Sequence, residues 1–202
     1  SLQFLSCEES TTGNYLIQHK DVDYVMLTGS NQTAEHFLNL RPDLDLVAET
    51  GGKNAVVVTQ MADLDDAVGG IIQSAFSYAG QKCSAASLLL LEEKVYENNT
   101  FLQQLVDAVS SLQVGSVWDL KTVVSPLIEK PSNHLKRALN TCDKGEKWLL
   151  KPKKHPDIPN CWTPGIKYGV KPESFMATTE LFGPVLAIVK VKNMTHAISI
   201  IN

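Results

Sequence analysis

The segment DYVMLTGSNQTAEHFLNL, residues 23–40, decides the fold class of this chain. Its first part is an apolar run typical of a buried strand, and NQTAEHFLNL then predicts a helix that Pro42 stops. The turn between them, Thr28-Gly29-Ser30, lies where a helix N-terminus presents free backbone N–H groups, and such a corner can hold a phosphate. Many α/β turns use glycine and serine for steric reasons alone, so the residues leave both interpretations open.

Strands and helices alternate along the rest of the chain. Such alternation predicts an α/β fold with a largely parallel sheet. The basic stretch LLKPKKHP is broken by proline and predicts a solvated edge strand or loop. Strands are predicted at 2–6, at 45–59 around a Gly-Gly turn, at 87–95 and at 185–192, and helices at 9–19, 62–80, 98–113, 133–142 and from 194 onward.

Composition excludes several classes of protein. The chain has 202 residues, of which 44% are hydrophobic and 20% charged, as in ordinary globular proteins. A net charge of −4 gives no electrostatic reason to expect nucleic acid or an anionic membrane as a partner. No apolar run is long enough to span a bilayer, and SLQFLSCEES lacks the features of a signal peptide. A reducing, cytoplasmic setting is therefore expected.

The four cysteines, Cys7, Cys83, Cys142 and Cys161, are scattered and form no Cys-x-x-Cys motif. This spacing argues against a metal framework, and no metal ligands are predicted. Nothing points to secretion, so disulfides are not expected either. Cys83 is then a free thiol, and the choice narrows to a packed core residue or a nucleophile.

Two residues carry candidate chemistry. Cys83 follows Gly-Gln-Lys and precedes small residues in FSYAGQKCSAAS, which leaves room for a ligand around the sulfur, although small buried cysteines are common. Glu49 precedes two glycines at a strand end, where it could face a cavity or simply lie on the surface. Together they suggest covalent catalysis, in which a thiolate attacks an electrophilic carbon and a carboxylate activates water. A cysteine hydrolase lacks support, because no histidine forms a recognisable Cys-His motif.

Four segments in order, LTGS (27–30), ETGGKN (49–54), FSYAGQKCSA (76–85) and ELFGPV (180–185), resemble the motif set of the aldehyde dehydrogenase superfamily. The segments HKDVDYVMLTG, RPDLDLVAETGGKNAVVV and WTPGIKYGVKPESF are most similar to Δ1-pyrroline-5-carboxylate (glutamate semialdehyde) dehydrogenases, in particular those of bifunctional proline-utilisation proteins. The resemblance covers essentially the whole chain. It implies the end of a Rossmann-like cofactor domain at 1–48, followed by an α/β catalytic domain at 49–202.

The resemblance assigns the catalytic roles. Cys83 matches the nucleophile that attacks the aldehyde to give a thiohemiacetal, which becomes a thioester when hydride passes to the cofactor. Its backbone N–H would donate to the oxyanion. Glu49 matches the base that activates water to hydrolyse the thioester, which favours release of a free acid over acyl transfer. Ser84 would help to hold a substrate carboxylate.

The same resemblance implies NAD as the cofactor, with NADP possible. Gly29 and Ser30 match the turn that approaches the pyrophosphate. Glu180 matches the residue that hydrogen-bonds the nicotinamide ribose, and Phe182 would pack beside it.

The resemblance also predicts the wider context. The chain is expected to be a piece of a longer protein that oxidises L-glutamate 5-semialdehyde to glutamate in proline catabolism. That parent is expected to be a homo-oligomer and could be fused to a proline dehydrogenase domain. The alternative is a catalytically inert module that retains the fold. The 202-residue chain by itself is expected to be inactive, because family elements on the adenine side and in the oxyanion hole would lie upstream of it.

Overall fold

The computed structural model describes residues 2–202 of the chain. They form two compact units, the first of which ends at Gly51 while the second begins at Gly52. The first unit contains a π-helical turn (Glu9–Gly13), helices α1 (Asn14–Gln18) and α2 (Asn31–Leu40), and strands β1 (Tyr24–Gly29) and β2 (Asp45–Thr50).

The first unit is built on a parallel pair of strands. Strand β1 lies beside β2 so that Thr28 faces Glu49 and Gly29 faces Thr50. Ser30 ends the strand and begins α2, because its hydroxyl accepts the backbone N–H of Thr33 at 3.1 Å. The strand–turn–helix unit predicted for residues 23–40 is confirmed.

The strand predicted for residues 2–6 is wrong. Residues 2–8 form no regular secondary structure, and the side chains of Leu2 and Phe4 are almost fully exposed. Neither described sheet includes this segment, so these apolar residues have no strand partner within residues 2–202. The helix predicted for residues 9–19 is present as the π-helical turn and α1.

The second unit is a five-stranded sheet with helices. Its sheet has the order β3-β4-β7-β6-β5, in which every neighbouring pair is parallel except the antiparallel pair of β5 with β6. The largely parallel α/β fold is therefore confirmed. The strands are β3 (Asn54–Val58), β4 (Ala86–Glu92), β5 (Lys147–Leu150), β6 (Gly165–Tyr168) and β7 (Val185–Val191), and the helices are α3 (Leu64–Phe76), α4 (Glu93–Tyr96), α5 (Asn99–Ser110), α6 (Asn133–Asn140), α7 (Phe175–Thr178) and α8 (Met194–Ile201).

The core of this unit lies around its two central strands. The run Leu88–Leu91 of β4 is fully buried, as is most of β7, because both faces of a central parallel strand are covered. Capping side chains set the starts of two helices of this unit. Asp63 accepts the N–H groups of Asp65 and Asp66 at the start of α3, and Asn98 accepts that of Phe101 at the start of α5.

The second unit differs from the sequence pattern in several places. The strand predicted at 87–95 ends at Glu92, and Glu93–Tyr96 form helix α4 instead. Strand β6 was not predicted, because its lysine, Lys167, interrupts a short run between prolines and glycines. That lysine is buried and lies 3.4 Å from Glu146, with both side chains only 2% exposed. The helix predicted to reach Gly80 ends at Phe76, since Tyr78 and Ala79 adopt left-handed backbone conformations in a 3₁₀ turn.

The helices of the described residues are short. The longest helix among residues 2–202, α3, has 13 residues. None of the helices described is both long enough and apolar enough to cross a membrane.

Candidate active site

Cys83 lies on a tight turn between the 3₁₀ turn (Ser77–Gly80) and strand β4. The turn is closed by a hydrogen bond from the Ala85 N–H to the Lys82 carbonyl at 3.0 Å. The thiol of Cys83 is exposed, and none of the hydrogen bonds within residues 2–202 uses its backbone N–H. An accessible sulfur beside a free N–H donor is the arrangement that a nucleophile with an oxyanion contact requires.

Asn54 holds this turn from the neighbouring strand. Its side-chain amide donates to the carbonyl of Cys83 at 2.6 Å and to that of Ala85 at 3.2 Å. The contact follows from the parallel pairing of β3 with β4, which places Asn54 opposite Ala86. Sequence reasoning missed this residue, although it closes the ETGGKN segment, because only the strand pairing brings it to the cysteine.

Gln81 anchors the turn on its other side. Its side-chain amide donates to the carbonyls of Tyr78 at 3.1 Å and Pro126 at 3.4 Å, and its carbonyl oxygen accepts the Ile128 N–H at 3.0 Å. The adjacent Lys82 ammonium lies 4.7 Å from the centre of the Tyr78 ring. The residues on both sides of Cys83 are thus tied to elements remote from them in sequence.

Gly80 lets the turn approach the ELFGPV segment closely. Its φ is +70°, and a Cβ placed on it would lie 2.5 Å from the carbonyl oxygen of Gly183. Any side chain here would therefore clash with backbone, in addition to the strain of the left-handed conformation. The sequence predicted a sharp turn at this glycine, which is present, and the close approach of a ligand, which stays a prediction.

Glu180 and Phe182 lie next to the same turn. The Glu180 carboxylate accepts the Gly52 N–H at 3.3 Å, and Phe182 adopts a left-handed backbone with φ of 50°. A small cavity with room for about one water molecule is lined by both residues, together with Gly52, Gly80, Lys82, Ala85, Ala86, Ser87 and Gly183. The two predicted cofactor residues of this unit and the residues flanking Cys83 are thus brought together, while Ser84 follows Cys83 on the exposed side of the turn.

Lys53 is a second residue that sequence reasoning did not single out. Its ammonium group is buried and has no hydrogen-bond partner within residues 2–202. Desolvation lowers the pKa of Lys53 to about 8, and the positive charge of Lys167 lowers it further, while the negative charge of Glu180 opposes the shift. The only sequence signal was its place in ETGGKN.

The first unit brings together the other three predicted residues. Glu49 is exposed near the end of β2, opposite Thr28, and therefore lies at the same edge of the strand pair as Gly29 and Ser30. A cavity of about 440 Å³ opens between α1 and α2 and is lined by Glu9, Ser10, Gly13, Asn14, Ser30, Gln32, Thr33, His36 and Phe37. Ser30, at the start of α2, lines this mostly apolar cavity, and the approach of a cofactor phosphate to this turn stays a prediction.

The family model of the aldehyde dehydrogenase family matches residues 1–202. This chain belongs to the aldehyde dehydrogenase family. The resemblance drawn from the four motifs is therefore confirmed, and aldehyde oxidation is the general chemistry of the family. The roles of individual residues stay predictions.

Relatives of the chain include enzymes and solved structures of that family. The chain is 30% identical over 210 residues to the 1-pyrroline-5-carboxylate dehydrogenase of Geobacillus sp. (strain WCH70). The matched stretch covers all of this chain and 40% of that protein. Proline Utilization A (PutA) from Corynebacterium freiburgense is 44% identical, with a TM-score of 0.91 over 96% of this chain and 20% of its own. Betaine aldehyde dehydrogenase from Staphylococcus aureus, solved in complex with NAD+, is 26% identical, with a TM-score of 0.85 over 96% of this chain and 40% of its own.

Proposed function

We propose that the protein carrying this chain oxidises an aldehyde to a carboxylic acid with NAD, and that the aldehyde is L-glutamate 5-semialdehyde. The single observation that carries the reaction type is the Cys83 turn, with its exposed thiol, its free N–H and the Asn54 clamp. The relatives named 1-pyrroline-5-carboxylate dehydrogenase and Proline Utilization A support the choice of aldehyde.

The chain's own residues divide the reaction into two steps. The Cys83 thiolate bonds to the aldehyde carbon, and the Cys83 N–H donates to the resulting oxyanion, which yields a thiohemiacetal. NAD, when bound, supplies the hydride acceptor that converts this adduct to a thioester. Glu49 then removes a proton from water as the water attacks the thioester, which releases the acid and restores the thiol.

Binding is the task of the remaining predicted residues. The Glu180 carboxylate would accept hydrogen bonds from hydroxyl groups of the nicotinamide ribose, Phe182 would pack beside it, and the Gly29-Ser30 turn would donate backbone N–H groups to the pyrophosphate. Ser84 holds the carboxylate of the substrate. In this proposal residues 1–48 end the cofactor domain and residues 49–202 belong to the catalytic domain.

The proposal extends to the protein's context. The chain spans 40% of the length of the dehydrogenase relatives and 20% of the matched Proline Utilization A chain. We propose a cytoplasmic homo-oligomer whose further segments include the rest of the aldehyde dehydrogenase fold and a proline dehydrogenase domain. A catalytically inert module is the alternative.

Turnover of the full-length protein tests the proposal. The protein is incubated with Δ1-pyrroline-5-carboxylate and NAD, and reduced cofactor is followed by absorbance, with betaine aldehyde and NADP as comparison substrate and cofactor. We expect reduction of NAD with the first aldehyde and none in Cys83→Ala. No turnover with any aldehyde would favour the inert module, and a clear preference for betaine aldehyde would overturn the proposed substrate.

A further inference from the structure

The cavity between α1 and α2 contains a carboxylate that the proposed reaction does not use. Of the nine described residues that line it, Glu9 is the only carboxylate, and none is a lysine or an arginine. Glu9 is exposed, and none of the ion pairs among residues 2–202 involves it. The cavity therefore presents one negative charge, without a charged partner among the described residues, to its ligand.

Local hydrogen bonds hold Glu9 at this cavity. The backbone carbonyl of Glu9 accepts the Asn14 N–H, and that of Glu8 accepts the Gly13 N–H at 3.0 Å. Across the cavity, Nε2 of His36 lies 2.9 Å from the side-chain oxygen of Asn14. This hydrogen bond ties the π-helical turn to α2, so the wall that carries Glu9 has a defined place relative to that helix.

The size and lining of the cavity fit a nucleoside. Its volume of about 440 Å³ lies within the range of roughly 300–1,000 Å³ that is typical of small-molecule sites. Most of its lining is apolar and includes the Phe37 ring, while Asn14 and Gln32 add amide groups that can donate and accept hydrogen bonds. Apolar walls with a few polar groups suit a purine base joined to a ribose.

Ser30 connects this cavity to the proposed cofactor. It lines the cavity and belongs to the Gly29-Ser30 turn, which binds the pyrophosphate in the proposed function. The adenine ribose is bonded directly to the pyrophosphate, and the nicotinamide ribose is assigned to Glu180, so the adenosine half is the ligand that this cavity fits. In dinucleotide-binding folds, a carboxylate beside the adenine ribose accepts a hydrogen bond from its 2′-hydroxyl, whereas an arginine accommodates the 2′-phosphate of NADP.

We propose that Glu9 is a specificity-determining residue, which selects NAD over NADP. Its carboxylate accepts a hydrogen bond from the 2′-hydroxyl of the adenine ribose in NAD and repels the 2′-phosphate of NADP. None of the described residues that line the cavity supplies the lysine or arginine that such a phosphate needs. The inference rests on the proposed function, because it takes a nicotinamide dinucleotide as the ligand. It places a determinant of cofactor choice within this chain.

The test is calorimetric titration of the full-length protein with NAD and with NADP, which gives the ratio of the two dissociation constants. Glu9→Gln removes the charge at nearly constant shape. Glu8→Gln is the matched control, because it makes the same change at the exposed neighbouring residue, which does not line the cavity. Wild-type protein should prefer NAD. Glu9→Gln should lower that preference by roughly 10–100-fold, and Glu8→Gln should change it by less than about 3-fold.

Two further readouts separate electrostatic selection from a structural role. The melting temperatures of both variants should match that of the wild type, since both side chains are exposed. The wild-type preference for NAD should shrink as the salt concentration rises, because mobile ions screen exposed charges. The preference that remains in Glu9→Gln should depend less on salt.

Each outcome decides a definite claim. An unchanged preference in Glu9→Gln, an equal loss in Glu8→Gln, or wild-type protein that prefers NADP would overturn the role of Glu9. Wild-type protein that binds neither cofactor would overturn the proposed function, and this inference with it. Wild-type protein that reduces NAD with Δ1-pyrroline-5-carboxylate, while Glu9→Gln keeps the wild-type ratio of dissociation constants, would reject the inference alone.

Discussion

Asn54 holds the Cys83 turn from the neighbouring strand. It fixes two carbonyl groups of the turn, one of them that of Cys83 itself. The sequence predicted the nucleophile and its general base from local context and motif resemblance. It could not predict the amide clamp or the buried Lys53, because both depend on which strand lies beside which.

We predict that Asn54→Ala lowers kcat/KM of the full-length enzyme by about 10–100-fold, because small displacements of reacting groups are costly. The loss of two hydrogen bonds should also lower the free energy of unfolding by about 1–3 kcal/mol. Steady-state kinetics and denaturant titration measure the two effects. Asn140→Ala, which removes one local bond to the Lys136 carbonyl in α6, is the control and should change neither quantity appreciably.

The alkylation rate of the Cys83 thiol reports independently on the turn that Asn54 holds. Burial raises the pKa values of the Cys142 and Cys161 thiols, and Cys161 is inaccessible in the fold. Cys83 should therefore react faster than either. An Asn54→Ala variant with wild-type turnover and a wild-type alkylation rate would show that the clamp has no part in positioning the thiol.

At the scale of elements, the sequence predicted best where local signals agree. Helix α2 occupies the predicted residues 31–40, since a serine cap and a proline bound it on either side. Strand β6 was missed, because the charge of Lys167 conceals a buried strand whose lysine is paired with Glu146. The end of α3 was misplaced by a few residues, because the left-handed turn that follows it is held by the contact of Gly80 with Gly183 rather than by local propensity.

A substitution at Gly80 tests whether the left-handed turn after α3 needs a glycine. Gly80→Ala should lower the free energy of unfolding by about 2 kcal/mol or more, because it combines a left-handed residue with a Cβ in contact with the Gly183 carbonyl. Gly69→Ala is the matched control in α3, where a Cβ would meet nothing within 4 Å, and it should raise that free energy by about 0.5–1 kcal/mol. Denaturant titration of both variants is the measurement. Equal stabilities, or a larger loss for Gly69→Ala, would refute this view of the turn.

At the scale of the whole molecule, the residues of the proposed reaction are divided between the two units. The first presents Glu49 with the Gly29-Ser30 turn at one edge of its strand pair, and the second presents Cys83 with Glu180 and Phe182. The fold class followed from the alternation of strands and helices, and the family followed from four motifs in order. The joint action of Glu49 and Cys83 is the central claim, and it requires the full-length protein.

The measurement that tests this claim most directly is a single-turnover experiment on Glu49→Gln in the full-length protein, with Δ1-pyrroline-5-carboxylate and NAD. General-base assistance is worth about 10²–10⁴-fold, so steady-state turnover should fall by that order while the first turnover still yields a burst of reduced cofactor. Mass spectrometry of the quenched enzyme should find the acyl group on the peptide that contains Cys83. A burst lost in proportion to steady-state turnover, or an acyl group on another cysteine, would contradict the account.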